Sequence, residues 1–252
     1  MNLEIIEHNL VEKIDVGTRN SFSNFLYQSP EYRNRFLQSS YKTAFDGYSF
    51  IGQKDSLNQY ETDLLHSFVL SDLQSVDRFP KEFSSFLTNE WPKLITAIKK
   101  IELQLIRKHN LPFEKLYEED IIRYMMSCNY YPKPTRCALF NKNTTRLSTH
   151  SDVSLFTTFP FGVATGLSYF NSDKKVEVKQ TNKMITFCGY YSQFMSYGEL
   201  NALNHQVELP TDLNSERYSF AIFSIPKPDG IFYLGKEKLS GTDYYKKYLS
   251  LF

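Results

Sequence analysis

The sequence predicts an α+β protein with a mainly β core, its helices supplied largely by the first half of the chain. Three observations carry that expectation. Apolar residues recur at helical spacing between Phe83 and His109, short β-prone runs follow Glu119, and aromatic residues are abundant, with 21 Phe and 18 Tyr among 252 residues. Aromatic side chains suit the pleated, half-buried surface of a strand, so this composition favours a sheet-built core. A single jelly-roll or barrel domain commonly fills a chain of this length.

Within the first half, Leu87, Trp91, Leu94, Ile95, Ile98, Ile101 and Leu105 share one helical face. The pattern stops at His109-Asn110 with Pro112 just beyond, which reads as a helix end. The expected strands are Tyr124 to Tyr131, Thr135 to Phe140, Leu155 to Phe159, Gly166 to Phe170, Val176 to Lys179, Met184 to Cys188, Leu203 to Leu209 and Arg217 to Ile225. Pro132-Lys133-Pro134, Asn141-Lys142-Asn143, Asn171-Ser172-Asp173 and Asn214-Ser215 punctuate them. Eight such runs fit a closed or double-sheet antiparallel architecture. The tail from Thr242 to Leu251 returns to helix. No repeat, low-complexity tract or linker divides the chain. It reads as one domain, 1–252, with a mostly helical part (1–119), a strand-rich core (120–230) and a helical C-terminal extension (231–252).

The formal charge of +1 carries no basic excess for neutralising phosphates, so nucleic acid is not an expected partner. No apolar run approaches membrane-spanning length. The acidic N-terminus lacks the basic and apolar regions of a signal peptide. Cys128, Cys137 and Cys188 show no metal-finger or disulfide spacing and read as reduced thiols, so the expected location is the cytoplasm. Nothing in the sequence specifies an oligomeric state.

Among only five histidines, His150 stands in His150-Ser151-Asp152 and His205 lies on a later run. In an extended segment residues i and i+2 point the same way, so His150 and Asp152 reach one ion together. Leu203, His205, Val207 and Leu209 alternate with polar residues, which turns His205 inward. Two imidazoles and one carboxylate are the facial set that holds iron(II) and leaves its other positions open. A short His-x-Asp motif is weak alone. The following segment strengthens it: Arg217 and Ser219 share the inward face of Ala221 and Phe223. A buried guanidinium demands an anion, and its planar fork fits a carboxylate. An internal Asp or Glu is the alternative partner.

These motifs, in this order, resemble the family of isopenicillin N synthase, the plant gibberellin and flavonoid oxygenases and 1-aminocyclopropane-1-carboxylate oxidase. Asn129-Tyr130-Tyr131-Pro132 is similar to the Asn-Tyr-Tyr-Pro strand of the plant 2-oxoglutarate enzymes. His150-Ser151-Asp152-Val153-Ser154-Leu155-Phe156-Thr157 resembles their His-Thr-Asp-x-Gly-x-x-Thr segment. Gly166-Leu167 resembles their Gly-Leu-Gln turn and Asn204-His205-Gln206-Val207 their x-His-Arg-Val strand. Arg217-Tyr218-Ser219, with Phe223 and Pro226, resembles Arg-Tyr-Ser-x-x-x-Phe-x-x-Pro. The resemblance implies a distorted jelly-roll, the double-stranded β-helix, with Fe(II) held by His150, Asp152 and His205. It implies that Arg217 and Ser219 grip 2-oxoglutarate, with Asn129 and Tyr131 assisting. The implied reaction uses O2, releases succinate, and hydroxylates, desaturates or cyclises a small-molecule substrate. Two departures concern the pocket: the usual Gly-Asp reads Gly189-Tyr190, and the usual Thr-Asn-Gly reads Ser196-Tyr197-Gly198. Tyr190, Tyr191, Phe194 and Tyr197 are expected near the pocket, as substrate contacts or as core.

Three other readings stand beside this one. An iron oxidase of the isopenicillin N synthase type would keep the same residues without using 2-oxoglutarate. A non-catalytic jelly-roll sensing a small acid or metal would be expected to show a degraded ligand set. A zinc hydrolase on a cupin-like barrel would leave Arg217 and Ser219 without a purpose.

Overall fold

The computed structural model describes residues 5–9, 17–53, 63–133, 145–172, 174–211 and 214–251. Thirteen strands are found in them. They are β1 (Ile6–His8), β2 (Gly47–Ser49), β3 (His66–Ser71), β4 (Ile122–Tyr131), β5 (Thr145–His150), β6 (Phe156–Phe159) and β7 (Leu167–Asn171), then β8 (Lys174–Glu177), β9 (Met184–Cys188), β10 (His205–Glu208), β11 (Arg217–Pro226), β12 (Ile231–Leu234) and β13 (Glu237–Ser240). The larger sheet runs β1-β9-β6-β11-β4-β3-β2 and the smaller β5-β10-β7-β8, while β12 and β13 form a separate hairpin. The strands pair antiparallel throughout. Two sheets with one cavity lined from both are the double-stranded β-helix expected from the motifs.

The spine is the β4–β11 pair, in register over ten residues from Arg217 opposite Tyr131 to Pro226 opposite Ile122. Strand alternation gives each member two buried faces. Met125, Ser127, Asn129 and Tyr131 line the cavity, whereas Tyr124, Met126 and Cys128 are buried on the outer face. Likewise Arg217, Ser219, Ala221 and Phe223 face in, and Phe220 and Ile222 pack outward.

The helices α1 (Thr18–Leu26), α2 (Pro30–Asn34), α3 (Ser84–Asn89), α4 (Trp91–Lys108) and α5 (Glu114–Glu118) belong to the first half. Leu94, Ile98, Ile101 and Leu105 of α4 are buried, as helical spacing requires. Each contributes about 1.5–3 kcal/mol by leaving water. Phe68 of β3 joins this core, 5.0 Å from Phe25 and 4.9 Å from Phe83 between ring centres.

Several sequence expectations need correction. The largely helical first half also contributes β1, β2 and β3, which were not expected and join the larger sheet. Strands as short as β1 and β2 take their stability from distant partners and have no local period to reveal them. The helix expected from Phe83 to His109 is broken at Glu90, since Pro92 is tolerated only in the first turn of α4. The C-terminal extension is not all helix: the β12–β13 hairpin, turning at Gly235 with φ +61°, precedes α7 (Gly241–Leu249). Strand β5 and helix α6 (Tyr190–Met195) were not expected, and the run Thr135 to Phe140 lies outside the described residues. The remaining expected strands form within two or three residues of their anticipated ends.

One polar group sits inside the α4–sheet interface. Glu102 is fully buried, and its Oε2 accepts from the Tyr117 hydroxyl at 3.0 Å and the Tyr124 hydroxyl at 2.8 Å. Burial pushes its carboxyl up to about 7. A carboxyl raised in the folded state holds its proton more tightly than in the unfolded chain, so stability is lost as pH rises from the ordinary value through 7. Thermal melts of the protein should therefore fall between pH 5 and pH 8, by roughly 2–3 kcal/mol in stability. Glu102→Gln, which keeps an acceptor and cannot ionise, should abolish most of that slope. An unchanged slope in the variant would assign it to other groups.

Candidate active site

The antiparallel ladder of the smaller sheet creates the site. β5 and β10 pair with His150 directly opposite His205, and their ring centres stand 4.5 Å apart. Asp152 follows two residues after β5 ends and swings its carboxylate between the rings. Its Oδ1 lies 3.4 Å from His150 Nε2 and its Oδ2 3.7 Å from His205 Nε2. One ligand atom from each of the three residues falls within 4.8 Å of the others.

The rings are oriented by their own strands. His150 Nδ1 lies 2.8 Å from the carbonyl of Ser148, and His205 Nδ1 lies 3.1 Å from that of Leu203. A carbonyl only accepts, so each Nδ1 carries a proton, and Nε2, which faces Asp152, is the nitrogen each ring offers a metal once it has no proton. This is the tautomer that a metal-binding imidazole needs, fixed by a carbonyl partner. Ser148 is itself anchored, its amide and hydroxyl donating to Asp63 Oδ1 at 2.9 and 2.7 Å.

Asp152 is buried, and burial weighs against its charge. The two imidazoles and the Thr157 hydroxyl, which donates to Oδ2 at 2.7 Å, overcome that and hold the carboxyl below its ordinary value. Burial likewise opposes a proton on His205 and keeps its pKa lowered. At His150 the same burial is outweighed by the hydrogen bond and charge of Asp152, and the pKa is raised. An anionic oxygen and two imidazole nitrogens, converging at one cavity, are a donor set suited to a divalent first-row cation.

These three residues open onto a cavity of about 370 Å³ whose lining includes Arg217, Ser219, Asn129 and Tyr131. Arg217 is 5% exposed and its Nε donates to the Thr165 carbonyl at 3.2 Å. Its guanidinium stands 5.1 Å from the Tyr131 ring centre. Among the described residues neither Nη has a hydrogen-bond partner, so the internal acid that might have neutralised Arg217 is not there. Burial pulls its pKa down. Ser219 pairs with Asn129 across the strands, and Arg217 with Tyr131, so the four residues expected to act together form one patch.

The second expectation fares differently. Tyr190, Tyr191, Phe194 and Tyr197 do not line this cavity. Tyr190, Tyr191 and Phe194 pack against Tyr244 behind the Asp152 segment, and Tyr197 is 69% exposed. The glycine of Gly189-Tyr190, the residue shared with the usual Gly-Asp, has a structural reason. A Cβ at Gly189 would lie 2.4 Å from the Ser154 carbonyl oxygen and 2.9 Å from that of Asp152, so only glycine lets this turn press on the ligand segment. Tyr248, Leu249 and Phe45 line the cavity instead and were not expected there, nor was Asp63. No short motif marks them.

A double-stranded β-helix with two imidazoles, a carboxylate and a buried guanidinium in one cavity is the arrangement expected of an iron oxygenase. The sequence profile of the 2OG-Fe(II) oxygenase superfamily matches residues 122–226, the span from β4 through β11. Its class is that of the dioxygenases, a group of oxidoreductases. Solved structures share the fold. JOX2, in complex with 2OG, Fe and JA, superposes with a TM-score of 0.71 at 20% identity, covering 92% of this chain and 73% of its own. A full-length Neurospora crassa protein in complex with alpha-KG and thymine gives 0.72 at 15% identity, covering 98% and 87%. The dioxygenase for auxin oxidation in rice gives 0.65 at 16%, covering 92% and 80%. No curated protein sequence matches significantly.

Removing one donor should dismantle the site. His205→Ala should weaken Mn(II) binding, followed by the electron paramagnetic resonance of the free ion, by more than the roughly 10–100-fold typical of an outer-shell change. Binding that survives unchanged would exclude His205 as a ligand.

Proposed function

We propose that the protein is an Fe(II)- and 2-oxoglutarate-dependent oxygenase acting on a small molecule by hydroxylation, desaturation or ring closure. His150, Asp152 and His205 hold the metal in this reading. Arg217 carries it, as a buried guanidinium whose two terminal nitrogens have no hydrogen-bond partner among the described residues and share a cavity with the triad. An unpaired buried charge is costly, so the site is incomplete without an anion. A dicarboxylate that reaches the ion with one end and the guanidinium with the other meets both demands. Ser219 adds a hydroxyl beside Arg217, and Asn129 and Tyr131 supply polar groups from the paired strand.

When bound together, iron and 2-oxoglutarate supply an oxidant derived from O2, with succinate and carbon dioxide as by-products. The chain's own residues orient the donors, bind the acid and keep water out. The cavity volume, about 370 Å³, lies in the small-molecule range. Leu65, Val69, Phe159 and Phe45 give much of it an apolar wall. JA and thymine, found in the complexes of similar fold, are small molecules as well. No helix among the described residues is long and apolar enough to cross a membrane, and Cys128 and Cys188 are free and buried, which fits a cytoplasmic enzyme.

The reading is tested by incubating the iron(II) protein with 2-oxoglutarate and a metabolite collection while following oxygen uptake and succinate. A substrate should raise both in equal amounts. Oxygen uptake without succinate would point to an iron oxidase that dispenses with 2-oxoglutarate. Arg217→Leu should raise the 2-oxoglutarate concentration needed for half-maximal turnover by roughly 30- to 1000-fold, equivalent to about 2–4 kcal/mol for a buried, hydrogen-bonded charge pair. Mn(II) affinity should stay close to wild type in that variant. An unchanged 2-oxoglutarate requirement would remove Arg217 from the cosubstrate site.

A further inference from the structure

The segment carrying Asp152 lies between strands, after β5 and before β6, so no sheet ladder holds it. It is held instead by its carbonyls, five in succession, each of which accepts a hydrogen bond. The Tyr248 hydroxyl donates to Ser151 O at 2.9 Å, the Tyr190 amide to Asp152 O at 2.7 Å, the Tyr244 hydroxyl to Val153 O at 2.6 Å and the Tyr191 amide to Ser154 O at 2.9 Å. Leu155 O receives the Gly189 amide at 3.1 Å and the Ser192 hydroxyl at 2.5 Å. The first four donors alternate between two sources. Hydroxyls of α7 take the carbonyls on either side of Asp152, and amides at the start of α6 take the others.

The two sources are locked to one another. The Tyr190 ring lies 6.3 Å from Tyr244 and 5.9 Å from Tyr248, and Tyr191 lies 4.6 Å from Tyr244. Tyr244 is fully buried, so its hydroxyl has no water to turn to. A third tyrosine of the same helix, Tyr245, donates to the Pro226 carbonyl, which lies outside the ligand segment.

We propose that Tyr244 and Tyr248 are positioning residues for the metal centre, through which helix α7 clamps the backbone on both sides of Asp152 and fixes the direction of its carboxylate. The inference rests on the reading of His150, Asp152 and His205 as metal ligands. Removing either hydroxyl frees a carbonyl that borders the ligand, and the freed segment then lets the carboxylate sample directions away from the ion. An outer-shell partner of a metal ligand commonly changes affinity by roughly 10–100-fold.

Mn(II) titration of the full chain, read by electron paramagnetic resonance, tests this on wild type, Tyr244→Phe, Tyr248→Phe, the double variant and Tyr245→Phe. Circular dichroism melts of the metal-free proteins run alongside. The double variant should bind Mn(II) about 10-fold more weakly than wild type, and each single variant should fall between them. Tyr245→Phe also loses a buried hydroxyl from α7, and should bind as wild type does. Tyr244 does not line the cavity, so a loss there cannot be assigned to altered cavity shape. If the double variant proves unfolded, the single variants compared with Tyr245→Phe give the same answer. Wild-type affinity in the folded tyrosine variants overturns the clamp, as does an equal loss in Tyr245→Phe. A wild-type protein that binds no Mn(II), with His205→Ala indistinguishable from it, overturns the metal site itself and the clamp with it.

Discussion

The architecture depends on one carboxylate being taken out of water between two imidazoles. A buried anion is expensive wherever it stands, and hydrogen bonds alone seldom repay the lost hydration. Asp152 is stabilised by its neighbours, yet the arrangement is complete only when a cation sits among the three donors. The smaller sheet answers to this requirement. Pairing β5 with β10 so that His150 faces His205 brings two residues, far apart in sequence, within a ring's width of each other.

The cavity's second charge follows the same logic with the sign reversed. Arg217 is buried on the inner face of the longest strand pair, where no acid among the described residues reaches it. One strand therefore does two jobs. The outer side chains of β11 pack into the core that α4 covers, and the inner ones present a guanidinium and a hydroxyl to the cavity. The apolar outer face stabilises the fold, so the inner face is free to hold groups that would destabilise it alone. A cavity with an anion at one place and an unmatched cation at another is polarised before any ligand enters.

Much of the second half was legible in the sequence because the signals there are local. Val, Ile and Phe runs bounded by Asn and Pro report strands, and alternation around His205 and Arg217 reports which way they face. The ligand set was legible because those residues do their chemistry through side chains whose identity is restricted. The groups that hold the ligands in place were not. Tyr190 and Tyr191 act through backbone amides, and the Ser148 and Leu203 carbonyls orient the histidines, so the side chains there carry no signal. Tyr244 and Tyr248 fall in a tail that the sequence marks only as helix; their hydroxyls acquire a purpose only when the fold brings Ser151 and Val153 over them. Strands β1 and β3 were missed for a related reason, since β1 pairs with β9 and β3 with β4, both far along the chain, and β2 is three residues long.

Each metal-facing imidazole is turned by a carbonyl two residues earlier on its own chain, and this has a consequence for how the site tolerates change. The proton pattern of the rings is written within three consecutive residues at each place, with Asp63 the one distant side chain that bears on it, through Ser148. Drift elsewhere in the barrel would alter how firmly an ion is retained or which molecule enters, while the nitrogen offered to the ion stays the same. Such a centre can be carried through extensive sequence divergence with its coordination chemistry intact, and the substrate pocket is left as the part free to vary.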